Sequence, residues 1–434
     1  MKSRIACAAL AVWTGTVGAA GAEPSVRQVF RSGRDVRTDE NIKRIQPIDD
    51  AAWIWAEGAA RWGESCIARR DEASRNLIPP EFYRFRKRFV ATEERLTVDV
   101  SADERFVLFL DGRRIARGPH RGMVEHWFYQ TYELALVPGE HVLEAVCWQI
   151  GNHAPLAQMS WRGGFVLKAS GSYDSLLTTG KADWKVARID GTTFTGKGRS
   201  PAWGVGSESR VEGTSVLHQV PPDSAYRPAV VVRKRVWDDD CGLRLPGWLL
   251  FPTGIPDLIE VRRTPGAFKA ARDDGKDDAF RTDDAAHPAV ARFNALLREE
   301  RRMSVPPRTT LRGIWDLGDY YCAYPEMTVG GGAGAEIRWS WLESLRDGTG
   351  HKADRAAFDG KTVGAAFGDV FRPDGRASGV FTTPWWRCGR WCQIEIRTGD
   401  EPLEIIGLSF GETRYPLEDE GRFACDDPTV AGVR

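Results

Sequence analysis

Alternation of apolar and polar residues dominates the first half of the chain. Leu96, Val98 and Val100 alternate with polar residues, as expected for a strand with one buried face. Phe106–Leu110 is instead a continuous apolar run that ends at Asp111-Gly112, a two-residue hairpin signal. Short strands separated by turn residues favour a sandwich of two antiparallel sheets. We predict such a sandwich over residues 23–250.

A second series of strand patterns follows the Pro306-Pro307 pair. Glycine-rich or polar turns separate these strands as well, so a second antiparallel sandwich is predicted over residues 308–420. The predicted fold class is therefore mainly β, with two jelly-roll-like β-sandwich domains and a short helix-containing connector. The predicted strands of the second unit are 309–317, 326–329, 336–342, 379–382, 392–397 and 404–410.

The predicted connector, residues 251–307, has weaker strand signals and one helix signal. The helix is predicted over Ala289–Arg302, where apolar residues recur at helical spacing. Its apolar face consists of Val290, Phe293 and Leu297. The polar stretch Arg272–Asp284 is predicted to be an exposed loop, since it lacks the spacing of a calcium-binding loop.

The N-terminus has the order of charged, apolar and small residues that is typical of a secretory signal. Lys2 and Arg4 precede an apolar run from Ile5 to Val17, and small residues end at Ala22. The run is too short for a membrane span. We predict a signal peptide over residues 1–22 and export to the periplasm or beyond, with no membrane span.

The charge balance argues against a nucleic-acid partner. The chain has 60 basic and 60 acidic side chains, and loss of Lys2 and Arg4 with the signal would leave 58 basic ones. Both signs are interspersed, so the sequence has no basic stripe for phosphates.

Cysteine usage permits disulfides without requiring them. Of eight cysteines, Cys7 lies in the signal, and the odd remainder of seven leaves at least one thiol unpaired. Cys388 and Cys392 would be roughly 13 Å apart on a strand, too far for a disulfide that needs roughly 4–7 Å. We interpret both as small buried side chains, with a disulfide or a metal site as the alternative.

No local motif predicts catalysis, a metal or a cofactor. The sequence contains no His-Glu-x-x-His, Gly-x-Ser-x-Gly or Cys-x-x-Cys motif. Gly330–Ala335 resembles a dinucleotide loop but precedes a strand, so no helix N-terminus would face a pyrophosphate. The acidic runs Asp103-Glu104 and Asp238–Asp240 are interpreted as surface charge, because neighbouring residues on a strand point to opposite faces. No catalytic residue is predicted.

One loop is the best candidate for contact with a sugar. Residues 117–129 join two predicted strands and combine groups that hydrogen-bond hydroxyls with rings that stack on a pyranose. An alternative remains for two of its aromatic residues, which could be the first core residues of the next strand. The candidate carbohydrate-binding residues are Arg117, His120, Arg121, His126, Trp127 and Tyr129.

A helix start lies near the end of the chain. Asp427 precedes Pro428, which combines a capping side chain with a residue suited to the first helical turn. Val430 and Val433 begin an apolar face with a spacing of three. Few residues follow, so we expect residues 421–434 to begin a helical domain that this sequence lacks.

In order and spacing, the segments of the chain resemble the β-domains of bacterial α-L-rhamnosidases. The resemblance covers nearly all of the chain after the signal. The segments that carry it are Ala52–Trp55, Phe85–Phe89, Ser101–Ile115, Gly118-Pro119, Tyr132–Leu134, Val137–Leu143, Trp248–Pro256, Asp316–Tyr320, Tyr324-Pro325, Gly334–Ile337, Glu343–Leu345, Gly389–Ile396 and Gly421–Pro428.

The resemblance implies a multidomain exo-glycosidase that removes terminal L-rhamnose with inversion. In that family the catalytic acid and base lie in an (α/α) barrel that follows the segment matched by Gly421–Pro428. No residue of this sequence matches the catalytic motif, so the chain is expected to be a non-catalytic accessory portion. The alternatives are a free-standing carbohydrate-binding protein and a structural protein that docks on a separate barrel.

Overall fold

A computed structural model describes residues 25–31, 46–59, 80–123, 126–155, 158–160, 162–195, 205–233, 248–273, 279–364, 366–418, 420–421 and 424–431. The predicted signal peptide 1–22 and the acidic run Asp238–Asp240 lie outside these residues, as do Cys66 and Cys241. Within them the fold is mainly β, which confirms the predicted class. No described helix is long and apolar enough to cross a membrane.

The N-terminal part forms a sandwich of a seven-stranded and a six-stranded sheet. The seven-stranded sheet contains β1 (Val26–Val29), β2 (Trp53–Trp55), β4 (Arg95–Ala102), β7 (Trp127–Ala135), β9 (Phe165–Ala169), β14 (Val230–Arg233) and β15 (Leu250–Pro252). The six-stranded sheet contains β3 (Glu81–Ala91), β5 (Arg105–Leu110), β6 (Arg113–Gly118), β8 (Gly139–Gln149), β10 (Lys185–Ile189) and β13 (Arg227–Pro228).

The apolar run that predicted β5 is buried on both faces. Phe106 and Leu108 point into the main core between the two sheets. Val107 and Phe109 point the other way, into a second apolar cluster with Trp148. A strand covered on both sides shows a solid apolar run instead of alternation. The strand ends at Asp111-Gly112, where both residues have positive φ, as a tight hairpin turn requires.

The C-terminal part is an eleven-stranded sheet folded into a second sandwich. Its strands are β11 (Thr192–Phe194), β12 (Ser209–Glu212), β16 (Ile259–Arg263), β17 (Ala267–Asp273), β19 (Met303–Val305), β20 (Thr310–Gly331), β21 (Glu336–Leu342), β23 (Phe367–Arg372), β24 (Gly379–Thr382), β25 (Arg387–Arg397) and β26 (Leu403–Arg414). A separate two-stranded sheet joins β18 (Ala279–Phe280) to β22 (Lys361–Thr362).

Strand β20 joins the two halves of the second sandwich. Two predicted strands, 309–317 and 326–329, are parts of this one 22-residue strand. Before residue 317 it pairs with β17 and β25. After residue 320 it pairs with β25 again over Tyr321–Ala323, and then with β24 and β26. The register with β25 shifts between Asp316 and Tyr321, and Gly318 has a positive φ of 79°. The strand therefore bends at residues 317–320.

The described helices are short. The α-helices are α1 (Asp174–Leu177), α2 (Pro288–Leu297) and α3 (Pro428–Ala431). The 3-10 helices are Pro47–Asp50, Gly151–His153, Gly171–Tyr173, Asp223–Ala225 and Thr282–Ala286. Helix α3 begins where the Asp427-Pro428 signal predicts, and the Asp427 carboxylate accepts a hydrogen bond of 2.8 Å from the Thr429 N–H.

The prediction of a helix over Ala289–Arg302 is correct in place and wrong in length. Helix α2 ends at Leu297, because Glu299 has a φ of 60° and helical backbone cannot continue through it. Phe293 and Leu297 are buried as predicted, whereas Val290 is only half-buried. The predicted connector also supplies β16, β17 and β19 to the second sandwich.

One polar segment was wrongly predicted to be exposed, and the prediction for a second is wrong only in part. Asp103 and Glu104 are buried, because Asp103 accepts a hydrogen bond of 2.8 Å from the Trp248 indole and Glu104 accepts one of 2.7 Å from the Ile150 N–H. In the predicted loop Arg272–Asp284, Ala279 and Phe280 are buried in β18. Residues 274–278 of that loop lie outside the described residues.

One buried ion pair connects β23, β25 and the segment before β12. The Arg387 guanidinium donates two hydrogen bonds of 2.6 Å to the Asp369 carboxylate, and both side chains are almost fully buried. Arg387 also donates to the carbonyls of Val205 and Ser207. The N–H and hydroxyl of Ser209 donate to Asp369. The network thus satisfies both charges away from water.

We expect Arg387→Ala to destabilise the protein by about 3–5 kcal/mol, because it leaves the Asp369 carboxylate buried without its cation. The matched control is Arg372→Ala, which removes a half-exposed pair with Glu336 and should cost about 0–1 kcal/mol. Urea unfolding followed by tryptophan fluorescence measures both. A loss of unfolding free energy for Arg387→Ala no larger than that of the control would contradict a stabilising role for the buried ion pair.

Candidate functional site

The predicted sugar-contact loop lies against the second sandwich. Arg117, at the end of β6, donates a hydrogen bond of 2.7 Å from Nε to the Glu260 carboxylate on β16. Its guanidinium lies 4.0 Å from the centroid of the Tyr324 ring on β20. Arg117 therefore joins the two sandwiches through a charge-assisted hydrogen bond and a cation–π contact.

Glu260 is held between two arginines. Arg114 approaches its other carboxylate oxygen at 2.5 Å. Burial opposes ionisation of Glu260, but the guanidiniums of Arg117 and Arg114 outweigh it and hold the pKa of Glu260 below its ordinary value. The carboxylate is therefore charged at neutral pH and fixes the contact between β6 and β16.

A second acidic group, Asp257, gathers polar side chains beside this pair. The Tyr132 hydroxyl donates to the Asp257 carboxylate at 2.6 Å, and the Gln130 amide donates at 3.1 Å. Burial, followed by the Asp257 charge, raises the pKa of Tyr132 well above its ordinary value, so the phenol stays protonated. His120 Nε2 lies 3.6 Å from the carboxylate, which is too long for a hydrogen bond.

Three buried polar atoms near this group have no hydrogen-bond partner among the described residues. They are Arg117 Nη1, His120 Nε2 and Gln130 Oε1. The outer part of the loop is more open, with an exposed Arg121 and a half-buried His126. The His126 ring stacks on Phe251 at 3.9 Å, and burial lowers its pKa, so the imidazole is neutral at pH 7.

The two remaining candidate residues are core residues of β7. Trp127 is 1% exposed and donates from its indole to the Ala102 carbonyl at 3.1 Å. Tyr129 is fully buried, with its hydroxyl 3.3 Å from Gln46 Oε1. Their placement matches the core alternative, since neither ring faces solvent. A carbohydrate role for the loop stays a prediction, and its more accessible candidates are Arg121 and His126.

A second candidate site lies at the bend of β20. It is an open cleft of about 640 Å³, a size that suits a small ligand. Two arginines, two carboxylates and two tyrosines supply its polar and aromatic surface. The residues that line this cleft are Arg262, Arg263, Thr264, Pro265, Asp319, Tyr320, Tyr321 and Glu412.

Ion pairs fix the polar groups of the cleft. Glu412 accepts hydrogen bonds from Arg263 at 2.9 Å and from Arg414 at 2.8 Å. Asp319 accepts one of 2.6 Å from Arg355. Both carboxylates are thus arranged as acceptors beside guanidinium donors, a combination that suits ligand hydroxyls. A glycosidase acid must instead donate a proton to the glycosidic oxygen, and this arrangement gives no support for that role.

Tyr320 supplies the exposed aromatic surface of the cleft. Its side chain is 39% exposed, and its hydroxyl lies 3.3 Å from the Glu343 carboxylate. Tyr321 is more buried and packs on Phe410 in the core. The bend of β20 places the two tyrosines in these different environments.

Sequence reasoning did not find this cleft. Asp319, Tyr320 and Tyr321 interrupt the alternation of a strand just after Gly318, and that interruption is the one signal that could have indicated it. The other lining residues come from β16 and the turn after it, and from β26, which is distant in sequence. Only the pairing of β16 with β26 brings them to the bend.

Comparisons with known proteins show a similarity of fold. No protein-family model matches the sequence, and no curated protein matches it. A GH78-family rhamnosidase of Bacillus sp. GL1 matches 88% of this chain with a TM-score of 0.61 and 13% sequence identity. The chain spans 57% of that protein's length.

Two further α-L-rhamnosidases give lower scores. That of Dictyoglumus thermophilum matches 88% of this chain and 38% of its own, with a TM-score of 0.47 and 13% identity. That of Aspergillus terreus matches 91% of this chain and 39% of its own, with a TM-score of 0.46 and 14% identity. The Bacillus match shows a shared rhamnosidase-like fold, and at 13% identity it shows the fold alone.

We expect Glu260→Gln to destabilise the contact between the sandwiches by roughly 2–5 kcal/mol at pH 7, because it leaves two arginines without their carboxylate. The pKa of Glu260 is lower in the folded chain than its ordinary value of 4.5. Its stabilising contribution is therefore complete above that value and is lost as the pH falls through the lowered pKa.

Unfolding of the wild type and the variant between pH 7 and pH 3 measures this difference. The difference in the free energy of unfolding between the wild type and Glu260→Gln should become smaller below pH 4.5. The control is Glu299→Gln, which removes an exposed partner of Arg262 and should show a small effect at every pH. A gap for Glu260→Gln that stays constant down to pH 3 would contradict the role of its charge.

Proposed function

We propose that this chain is a non-catalytic accessory portion of an α-L-rhamnosidase-like glycoside hydrolase acting on rhamnose-containing glycans. The observation that carries the proposal is the fold, which matches a GH78 rhamnosidase over 88% of this chain with a TM-score of 0.61. The resemblance of the ordered sequence segments to the same family supports it independently. The proposal takes the role of the two sandwiches to be support of a catalytic domain and contact with the glycan.

We further propose that the cleft at the bend of β20 is the place of glycan contact. Its guanidinium and carboxylate groups match the donor and acceptor pattern of vicinal hydroxyls. Tyr320 offers a ring to the apolar face of a sugar, as far as its 39% exposure allows. The alternative of a free-standing carbohydrate-binding protein uses the same cleft and differs only in needing no catalytic partner.

Assay of the full chain on an aryl α-L-rhamnoside tests the non-catalytic role. We expect no release of the aryl group above the rate of the buffer blank, because the cleft carboxylates are arranged as hydrogen-bond acceptors. Release that persists through purification and rises with protein concentration would contradict the proposal.

Affinity electrophoresis in rhamnogalacturonan tests the cleft. We expect Tyr320→Ala to weaken binding about tenfold, equivalent to about 1.4 kcal/mol, because it removes the exposed ring. The matched variant is Tyr415→Ala, which removes a similarly exposed ring that stacks on His120 at 6.1 Å. We expect Tyr415→Ala to bind as the wild type does.

The pair of variants separates the two candidate sites. Weaker binding by Tyr415→Ala alone would move the sugar site to the loop with His120 and Arg121. If rhamnogalacturonan in the gel does not slow the migration of the wild type, glycan binding at either site is contradicted.

A further inference from the structure

Two cysteines face each other beside the bend of β20. Cys322 on β20 and Cys388 on β25 are directly opposite in the antiparallel ladder, between the pairs Tyr321–Gly389 and Ala323–Arg387. Directly opposed residues have Cα atoms about 4.5–5.5 Å apart. That separation falls within the range of about 4.4–6.8 Å that a disulfide spans. Both side chains are half-buried, so small reagents have access to them.

The contacts of the two thiols differ. The Cys322 thiol hydrogen-bonds to the Cys388 sulfur, and this is the largest cause that lowers the pKa of Cys388 to about 6. Burial opposes the shift. The same contact with Cys388, together with burial, raises the pKa of Cys322. The pKa directions favour ionisation of Cys388 over ionisation of Cys322.

The remaining described cysteines differ from this pair. Cys147 and Cys392 are fully buried, and burial raises the pKa of both thiols, which makes them inert. Cys425 is exposed. Among the cysteines that the structure describes, Cys322 and Cys388 alone are paired across two strands.

We propose that Cys322 and Cys388 form a redox-active dithiol that closes to a cross-strand disulfide when it meets a small disulfide such as oxidised glutathione. The Cys388 thiolate attacks one sulfur of the oxidant, and the first glutathione thiolate leaves. Cys322 then loses its proton, and its sulfur attacks the Cys388 sulfur of the mixed disulfide, releasing the second glutathione thiolate. Two protein thiols are oxidised, and one glutathione disulfide is reduced to two thiols.

The disulfide would act on the cleft through Tyr320. This residue lines the cleft and stands two positions before Cys322 on the same strand. Oxidation ties the segment after the bend covalently to β25. The oxidised protein is therefore expected to unfold at a higher temperature and to hold Tyr320 differently from the reduced protein.

Mass spectrometry of the full chain tests the proposal. The protein is reduced, freed of reductant, treated with oxidised glutathione at pH 7, alkylated and digested without reduction. We expect a crosslinked peptide pair that contains Cys322 and Cys388 and has lost two hydrogens. Cys322→Ser should stop at the mixed disulfide on Cys388, because the resolving thiol is gone. In Cys388→Ser, glutathione should attach to Cys322 at least tenfold more slowly than it attaches to Cys388 in Cys322→Ser.

The control is Cys425→Ser, which should form the crosslink at the wild-type rate. A crosslink from Cys322 or Cys388 to a different cysteine would overturn the proposal. So would two free thiols at these positions after oxidation that modifies Cys425. A wild-type mixed disulfide on Cys388 that Cys322 does not displace would also overturn it.

Discussion

The bend in β20 is the constraint on which the rest of the second sandwich depends. One 22-residue strand pairs with β17 and β25 before residue 317, and with β25, β24 and β26 after residue 320. A straight strand could not serve both halves, so the ladder slips between Asp316 and Tyr321. The slip exposes Tyr320, opens the cleft and places Cys322 opposite Cys388. The candidate glycan site and the dithiol thus have a common geometric origin.

Charged and polar groups form the contact between the sandwiches at β6 and β16. Arg117 of the first sandwich forms an ion pair with Glu260 and a cation–π contact with Tyr324 of the second. Beside it, Asp257 accepts hydrogen bonds from Gln130 and Tyr132. Such pairs need defined geometry to offset the cost of desolvation. They therefore fix the orientation of β6 relative to β16 more narrowly than an apolar contact would. The buried polar atoms Arg117 Nη1, His120 Nε2 and Gln130 Oε1, which have no hydrogen-bond partner among the described residues, lie at this same contact.

Apolar patterns and turn residues predicted much of the fold because they report local burial and chain reversal directly. The run Phe106–Leu110 and the Asp111-Gly112 hairpin appear in the structure as the sequence indicates. The prediction that Asp103 and Glu104 are exposed was wrong because their carboxylates accept hydrogen bonds from Trp248 and Ile150, which are distant in sequence. The cleft escaped prediction for the same reason, since its walls meet only through strand pairing. Of the predicted loop residues, Trp127 and Tyr129 are indistinguishable in sequence from core aromatics.

A crystal structure of the full chain with L-rhamnose or a rhamnogalacturonan oligosaccharide tests the central claim most directly. The account predicts sugar density in the cleft, against the Tyr320 ring and within hydrogen-bond distance of Arg263 or Glu412. Sugar density confined to the loop beside His120 and Arg121, with the cleft open to solvent, would contradict it.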